Sequence, residues 1–246
     1  MKADPADQRR LLELAEVDAE LGRLAHRRRT LPEDGEHAAA ELAVQAAKDK
    51  LVGIETNAGD LDRDIRRVER DVEGVRTRTT RDHQMLASAG VGAKQANDLQ
   101  HELETLARRQ SVLEDEQLEI MEQREAVGLD LEHARVALAR SEQELTDISA
   151  RRDTALADIT ASEGGRQRAR TEVVEKIGSA DVLAAYETRR SQGRVGAGLL
   201  RERRCGACRL ELDRTFISQL RAAAPDDVVT CEECGAILVR TSESGL

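Results

Sequence analysis

Residues 205–235 have the sequence CGACRLELDRTFISQLRAAAPDDVVTCEECG and contain all four cysteines of this 246-residue chain. Two C-x-x-C pairs, Cys205 with Cys208 and Cys231 with Cys234, are separated by twenty-two residues. Each pair can close a tight turn, and four thiolates complete a tetrahedron around Zn²⁺ with Zn–S bonds of about 2.3 Å. Because such a site keeps no position for water or substrate, the stretch predicts one structural zinc ion that stabilises the fold.

Two other uses of the cysteines fit the sequence less well. A disulfide framework requires an oxidising compartment, which no feature of the chain indicates. A redox pair of the thioredoxin type is a single C-x-x-C in a βαβ unit, whereas two pairs occur here. The spacing slightly exceeds the roughly 15 to 20 residues typical of zinc sites, which indicates more than a bare hairpin between the pairs. Gly235 supplies the glycine that favours a turn after the second pair, a position that Arg209 occupies after the first.

The composition is unlike that of a globular domain. Only two residues are aromatic, Tyr186 and Phe216, there is no tryptophan, and 35% of the residues are charged. A globular domain of this length would use many more rings in its core, so we expect long helices that share a narrow apolar seam. The net charge of −10 argues against a protein that wraps nucleic acid along its length.

The sequence predicts neither a secretion signal nor a membrane span. Its first ten residues, MKADPADQRR, lack the apolar core of a signal peptide. No run approaches the roughly 20 apolar residues that cross a bilayer. We therefore expect a soluble, cytoplasmic protein without a membrane partner.

Apolar residues recur at alternating steps of three and four, which is the period of a coiled coil. Asp4 followed by Pro5 predicts a helix start, and Pro32 predicts a kink near residues 32–35. The seam restarts at Ala40 and runs to Val75, which predicts a helix to about Leu86.

A glycine-containing turn and a second seam complete a helical hairpin. The turn is predicted at about residues 87–97, and the second seam keeps one register from Leu99 to Val173. Two arms of about 80 residues predict an antiparallel coiled-coil hairpin over residues 1–178, roughly 120 Å long. Residue i of the first arm is then expected near residue 183 − i of the second.

Residues 179–246 are predicted to form a linker helix and a small α+β zinc ribbon, so the fold class is mainly α. Ser179 is expected to cap the helix ADVLAAYETRR, and Val195–Arg204 predicts a strand that enters the first cysteine pair. Asp213 is expected to cap a helix between the pairs. VVTC and AILVR predict short flanking strands, and TSESGL predicts a loose tail.

The chain resembles a bacterial family whose members join a long N-terminal coiled-coil hairpin to a C-terminal C4-type zinc ribbon. The resemblance lies in LLELAEVDAELGRL, with Asp18 on its seam side, in LQHELETLARRQSVLEDEQLEIMEQ, in DVLAAYETRR, and in CGAC with CEECGAILVR. These stretches span nearly the whole chain. The resemblance implies a non-enzymatic protein that acts through contacts. Many members are described only as nucleic-acid-binding zinc-ribbon proteins, and some resemble adaptors for transcription or export machinery or for RNA.

Arginines are concentrated beside the first cysteine pair. In residues 189–209 seven arginines stand against one glutamate, a net charge of +6. The candidate nucleic-acid-binding or partner-binding residues among them are Arg194, Arg201, Arg203, Arg204 and Arg209. Such a patch can neutralise phosphates, or it can pair with acidic residues of the hairpin or of a protein partner. Residues 210–246 carry seven acids against three arginines, and the lack of aromatic rings disfavours stacking on single-stranded bases.

A second group of basic residues surrounds the predicted turn of the hairpin. Its members are Arg76, Arg78, Arg81, His83, Lys94 and His101. The ordinary interpretation is a set of solvated charges near the helix ends. A turn carried far from the ribbon would nevertheless suit a bridge between two partners.

No open metal site, nucleophile–base pair or phosphate loop is visible, so we predict no enzymatic activity and no small-molecule substrate. We expect an adaptor with structural zinc that binds protein partners. Direct binding of RNA or DNA by the ribbon is the first alternative, and a thiol or zinc redox sensor, in which oxidation expels the metal, is the second. The hairpin can close within one chain or pair between two, which gives a monomer or a coiled-coil dimer.

Overall fold

The computed structural model describes residues 1–246, and the chain is mainly helical with one small sheet. The α-helices are α1 (Pro5–Arg29), α2 (Pro32–Leu86), α3 (Ala93–Lys176), α4 (Ala180–Ser191) and α5 (Arg214–Ala222). The strands are β1 (Ala197–Arg201), β2 (Arg204–Cys205), β3 (Val229–Thr230) and β4 (Ile237–Val239). A single 3-10 turn follows at Ser242–Ser244.

The contacts within the chain define two compact units. The first unit consists of Met1–Pro32 and Arg152–Leu246, and the second unit consists of Glu33–Arg151. The predicted boundary between residues 178 and 179 separates segments by expected role, and it stays a prediction.

In the second unit, α2 and the first part of α3 form the two arms of a helical hairpin. Val68, Val72 and Leu113 are buried between the helices, and Val75 and Ile120 pack against them. All five belong to the apolar seams on which the hairpin prediction rests. The seam thus buries apolar area along one narrow stripe of each helix, while the charged residues stay in solvent.

Ion pairs between the two helices show how they are aligned. Arg67 Nη2 lies 3.1 Å from Glu116 Oε1, which is where the predicted relation places the partner of residue 67. Arg151 lies 2.8 Å from Glu36, about one helical turn from the predicted position. The predicted antiparallel hairpin is confirmed, and it closes within the chain.

The start of α1 follows the predicted capping pattern. Asp4 Oδ1 accepts a hydrogen bond from the Ala6 N–H at 2.7 Å, and Pro5 occupies the first helical position. α1 ends at Arg29 and α2 begins at Pro32. Proline is tolerated in a first turn because its missing N–H would have no partner there, so Pro32 ends one helix and begins the next.

The sheet of the first unit has the strand order β2-β1-β4-β3. β1 pairs parallel with β4, and both outer strands pair antiparallel with their neighbours. The prediction of one strand over Val195–Arg204 is wrong in its extent. Glu202 and Arg203 adopt positive φ angles of 49° and 65°, and the resulting turn places Arg201 opposite Arg204 in a short hairpin.

β4 separates two apolar cores of the first unit, because successive side chains of a strand face opposite sides. Ile237 and Val239 lie in a core with Leu11, Leu14, Val182 and Tyr186. Leu238 lies in the other core, with Cys205, Phe216, Leu220 and Cys231. The first core joins the linker helix to α1, and the second surrounds the cysteines.

The first residues of the chain pair with a segment just before β3. The Ala3 N–H donates to the Asp226 carbonyl at 2.9 Å, and the Val228 N–H donates to the Met1 carbonyl at 3.0 Å. Lys2 Nζ lies 2.8 Å from Asp226 Oδ2. These residues are neighbours although 224 positions separate Lys2 from Asp226.

Two local predictions in the first unit are wrong. The Ser179 side chain does not cap α4; instead its backbone N–H donates to Asp7 Oδ2 of α1 at 3.0 Å. The C-terminal residues do not form a loose tail. Thr241 and Ser244 form a capping box, and Ser244 is fully buried.

Candidate zinc centre

The four cysteine sulfurs lie together in the first unit. Cys205 Sγ is 3.8 Å from Cys234 Sγ, Cys208 Sγ is 4.0 Å from Cys231 Sγ, and all four atoms lie within 4.8 Å of one another. A tetrahedron with Zn–S bonds of about 2.3 Å has edges of about 3.8 Å. The cluster therefore fits one structural Zn²⁺ with sulfur on all four sides.

Each cysteine turn is closed by a backbone hydrogen bond of the same type, from the residue after the second cysteine to the carbonyl of the first. The Arg209 N–H donates to the Cys205 carbonyl at 2.7 Å, and the Gly235 N–H donates to the Cys231 carbonyl at 2.8 Å. Arg209 and Gly235 have φ angles of 66° and 74°. This left-handed conformation suits glycine and is costly for arginine, so Arg209 carries strain that Gly235 avoids.

The first cysteine turn lies directly against β1. The Gly206 N–H donates to the Leu199 carbonyl at 2.8 Å, and a Cβ on Gly206 would lie 2.6 Å from that oxygen. A Cβ on Gly198 would lie 2.6 Å from the Ala207 nitrogen. Because these two glycines have no side chain, the backbone of the first cysteine turn can contact the backbone of β1. This contact fixes the first pair of sulfurs relative to the sheet.

The surroundings of the sulfurs favour a bound cation. Burial raises the pKa of the Cys205 thiol to about 12 and also raises the pKa of Cys234. The backbone N–H of Leu210 lowers the pKa of Cys208. Buried thiolates without a counter-charge are unfavourable, and a coordinated metal supplies that charge and keeps the thiols deprotonated.

The predicted arginine patch divides into paired and unpaired residues. Arg189 donates to the Gly235 and Ala185 carbonyls, and Arg190 pairs with Asp18. Among the five candidate binding residues, Arg204 lies 3.9 Å from Glu211, a loose and exposed ion pair. The other four form no ion pair or side-chain hydrogen bond: Arg194, Arg201, Arg203 and Arg209.

Part of the basic group near the hairpin turn is engaged within the second unit. Arg76 lies 2.8 Å from Glu114, and Arg78 lies 2.7 Å from Glu102. His101 lies 3.8 Å from Glu104, an ion pair only when the histidine is protonated. These contacts agree with the interpretation of these residues as solvated helix charges.

A partly buried network centred on Asp18 was not predicted. Arg170 Nε donates to Asp18 Oδ1 at 2.8 Å, and Arg190 Nε lies 3.0 Å from the same oxygen. The Tyr186 hydroxyl donates to Asp18 Oδ2 at 2.8 Å, and Glu187 forms an ion pair with Arg170. Two features of the sequence could have indicated this network. Asp18 lies on the seam side of its helix, and Tyr186 is one of only two aromatic residues in the chain.

This network fastens α4 to α1 and α3 and sets the surroundings of Tyr186. The tyrosine ring is 1% exposed, and a Cβ on Gly196 would lie 2.4 Å from it. Burial, followed by the hydrogen bond to the Asp18 carboxylate, raises the pKa of Tyr186 above its ordinary value. The phenol is therefore held neutral as a donor to Asp18.

Arg240 has a second structural role that the sequence did not reveal. Its Nη1 donates to the Leu220 carbonyl at 3.1 Å and to the Ala223 carbonyl at 2.8 Å. Its Nη2 donates to the Ala224 carbonyl and, at 2.8 Å, to the Asp227 carbonyl. The guanidinium thus binds carbonyls of the last turn of α5 and of the segment that follows it, where a helix leaves carbonyls without an intrahelical donor.

None of the helices is long and apolar enough to cross a membrane.

Comparison with protein families accounts for both parts of the chain. Residues 14–194 match the CT398-like coiled coil hairpin domain, and residues 204–238 match the C4-type zinc ribbon domain. Neither description indicates an enzyme.

Relatives and solved structures agree over nearly the full length. The uncharacterized protein Rv2229c of Mycobacterium tuberculosis is 42% identical over 244 residues, 98% of each chain. The uncharacterized protein ML1638 of Mycobacterium leprae is 32% identical over 224 residues, 91% of this chain and 96% of that one. A Mycobacterium smegmatis structure has a TM-score of 0.86 at 41% identity and covers 98% of this chain and 100% of its own. CT398 from Chlamydia trachomatis has a TM-score of 0.67 at 18% identity, covering 96% and 98% of the two chains, a likeness of fold alone. This chain belongs to the bacterial family of CT398-like coiled-coil hairpin proteins that carry a C4-type zinc ribbon.

Proposed function

We propose that the protein is a non-enzymatic adaptor that binds a protein partner through its hairpin, while structural zinc keeps the ribbon folded. The proposal assigns the hairpin to residues 1–178 and the linker and ribbon to residues 179–246. The observation that carries it is an exposed apolar stripe on α3 within the second unit.

The stripe consists of four large apolar side chains that water surrounds. Their exposed fractions are 60% for Leu118, 47% for Met121, 63% for Leu129 and 68% for Val136. At 100° per residue, Leu118, Leu129 and Val136 lie about 140–160° around the helix from Leu113 of the seam, and Met121 lies about 80° from it, at the edge of the same outer surface. Single exposed apolar residues are ordinary, but a series over five turns of one face is typical of a helix that receives a partner.

The charges around the stripe indicate what kind of partner fits. Asp115, Glu122 and Glu125 lie on or beside the same face and form no ion pair. In a parallel pairing, a second copy of this stripe would bring these like charges together, which opposes self-association in that orientation. The complementary ligand is a basic amphipathic helix that places apolar residues on the leucines and its lysines or arginines beside the acids.

A capture experiment tests the adaptor proposal. The intact zinc-loaded chain is used as bait in cell extract, with and without nuclease, and compared with Leu129→Glu. We expect a nuclease-resistant protein that the variant loses, together with binding of a synthetic basic amphipathic helix by the wild type only. Leu42→Glu is the matched control, since Leu42 is 72% exposed on α2 and lies outside the stripe. Equal capture by both variants would refute the proposal.

A second candidate function is direct nucleic-acid binding by the ribbon. It is favoured by the absence of internal ion pairs at Arg194, Arg201, Arg203 and Arg209. Arginines that neutralise phosphates give binding that weakens steeply with salt. Changing Arg201, Arg203 and Arg204 to glutamate is expected to abolish the retardation of RNA or DNA in a gel. Unchanged binding by that variant would exclude this function.

A further inference from the structure

Three arginines of the zinc-bearing module converge on one open pocket. Arg203, from the turn between β1 and β2, faces Arg214 and Arg221 of α5 across a cavity of about 400 Å³. Ile217 and Ser218 complete its lining, and Ile217 is buried. No acidic side chain lines the pocket.

The positive charge of this pocket is not neutralised within the chain. None of the three guanidinium groups forms an ion pair or a side-chain hydrogen bond. Two acids adjoin these arginines in sequence: Glu202 precedes Arg203, and Asp213 precedes Arg214. Asp213 accepts the Thr215 N–H at 2.7 Å as the cap of α5, and Glu202 forms no ion pair with any of the three. Three uncompensated cations therefore share one cavity in a chain whose net charge is −10.

Two of these arginines occupy positions that cost stability. Arg203 has a φ of 65°, and Glu202 before it has a φ of 49°. Asparagine and glycine are the residues that such a turn favours. Arg214 is the first residue of α5, where the helix dipole favours a negative charge. Departures from local preference of this kind are expected at functional sites, because the same positions with favoured residues would be more stable.

The zinc cluster holds the two sides of the pocket together. The Leu212 N–H donates to the Arg203 carbonyl at 2.9 Å, which fixes the turn against the segment that leads into α5. α5 packs through Phe216 and Leu220 into the core that contains Cys205 and Cys231. The guanidinium groups are thus carried on a framework that one metal ion closes, so little reorganisation is needed for binding.

We infer that Arg203, Arg214 and Arg221 form a binding site for a phosphate group. Guanidinium forks match the oxygens of a phosphate and can each donate two hydrogen bonds. Three positive charges complement a dianionic or more highly charged group better than a single carboxylate. The cavity exceeds the size of one phosphate, so pyrophosphate or a nucleoside triphosphate is the expected small ligand. This site is independent of the apolar stripe on α3, and the two can fail separately.

Titration of the full-length zinc-loaded chain with pyrophosphate, followed by calorimetry, tests the site. We expect binding that weakens about tenfold or more in Arg214→Gln and in Arg221→Gln, since each removes a charge-assisted hydrogen-bond donor. Arg9→Gln is the matched control: Arg9 is exposed and unpaired in the same unit, and its loss removes the same charge elsewhere. Absence of pyrophosphate binding, or an equal loss in Arg9→Gln, would overturn the inference.

Further measurements distinguish lost binding from lost folding and identify the source of the phosphate. Zinc content and amide exchange of α5 must match the wild type in each variant, which separates lost binding from lost folding. Arg221→Lys keeps the charge without the planar fork, so it should bind more tightly than Arg221→Gln and more weakly than the wild type; affinity equal to that of Arg221→Gln with intact folding would contradict a site that depends on positive charge. Displacement of pyrophosphate by an RNA oligonucleotide would show that the site accepts phosphates of a nucleic-acid chain, and failure to displace it would restrict the site to small phosphate ligands.

Discussion

Replacing Tyr186 by phenylalanine removes one hydroxyl group and tests the partly buried network that fastens α4. The hydroxyl donates to the Asp18 carboxylate at 2.8 Å, and a hydrogen bond to a charged group contributes about 1.5–3 kcal/mol. Asp18 keeps its contacts with Arg170 and Arg190, so the carboxylate is not left unpaired. We therefore place the loss near the lower limit, about 1.5 kcal/mol.

Amide hydrogen exchange in α4 measures this loss directly. A decrease of about 1.5 kcal/mol in the free energy of opening accelerates exchange roughly twelvefold. Thr188→Ala is the matched control, because that hydroxyl bonds only the Ala184 carbonyl of its own helix, at 2.8 Å. Exchange in α2, which lies in the other unit, should stay unchanged. An acceleration of less than about threefold in Tyr186→Phe, or an equal effect of the control, would refute the reasoning.

Three further outcomes are expected. Elemental analysis should find one zinc ion per chain, and its removal by a chelator should increase amide exchange in β1–β4 and α5 while α2 keeps its protection; unchanged exchange would argue against structural zinc. Gly206→Ala should destabilise the ribbon by about 1–3 kcal/mol in chemical unfolding, because the new Cβ would lie 2.6 Å from the Leu199 carbonyl oxygen, whereas Gly53→Ala, with open space around it, should stabilise α2 by up to about 1 kcal/mol. Since Tyr186 is the only tyrosine and its pKa is raised in the folded chain, the stability that it confers is complete below its unfolded pKa of about 10 and declines as the pH rises beyond it. Tyrosinate absorbance should thus appear only together with unfolding, and ionisation near pH 10 in the folded protein would contradict this.

The parts of the fold that depend on local pattern could be predicted from the sequence. The three-and-four spacing around Val68 and Val72 predicted the hairpin, because only a helix places those side chains on one face. The spacing of Cys205 and Cys208 predicted a metal-binding turn, because two residues between the cysteines let both sulfurs reach one ion. Asp213 was predicted as a helix cap and acts as one, since capping involves residues only two positions apart.

The parts that depend on distant contacts could not be predicted. Asp18 meets Tyr186 across 168 positions of sequence, and no periodicity encodes such a meeting. The sequence left open whether Arg189 and Arg190 bind phosphate or pair with acids, and only the fold shows that they contact Gly235 and Asp18. Arg221 lay in a segment judged acidic overall, and the pocket appears only when α5 is placed beside the turn that holds Arg203.

The pairing of Met1–Ala3 with residues 226–228 affects how the protein is made. A ribosome adds about 5–20 residues per second, so the segment that receives the N-terminus is synthesised roughly 11 to 45 s after it. During this interval Leu11 and Leu14, which belong to the same core as Ile237 and Val239, have no native partner on that side. The first unit can therefore complete its core only after residues 226–239 have been synthesised, and until then the nascent chain lacks the native cover of Leu11 and Leu14 on that side.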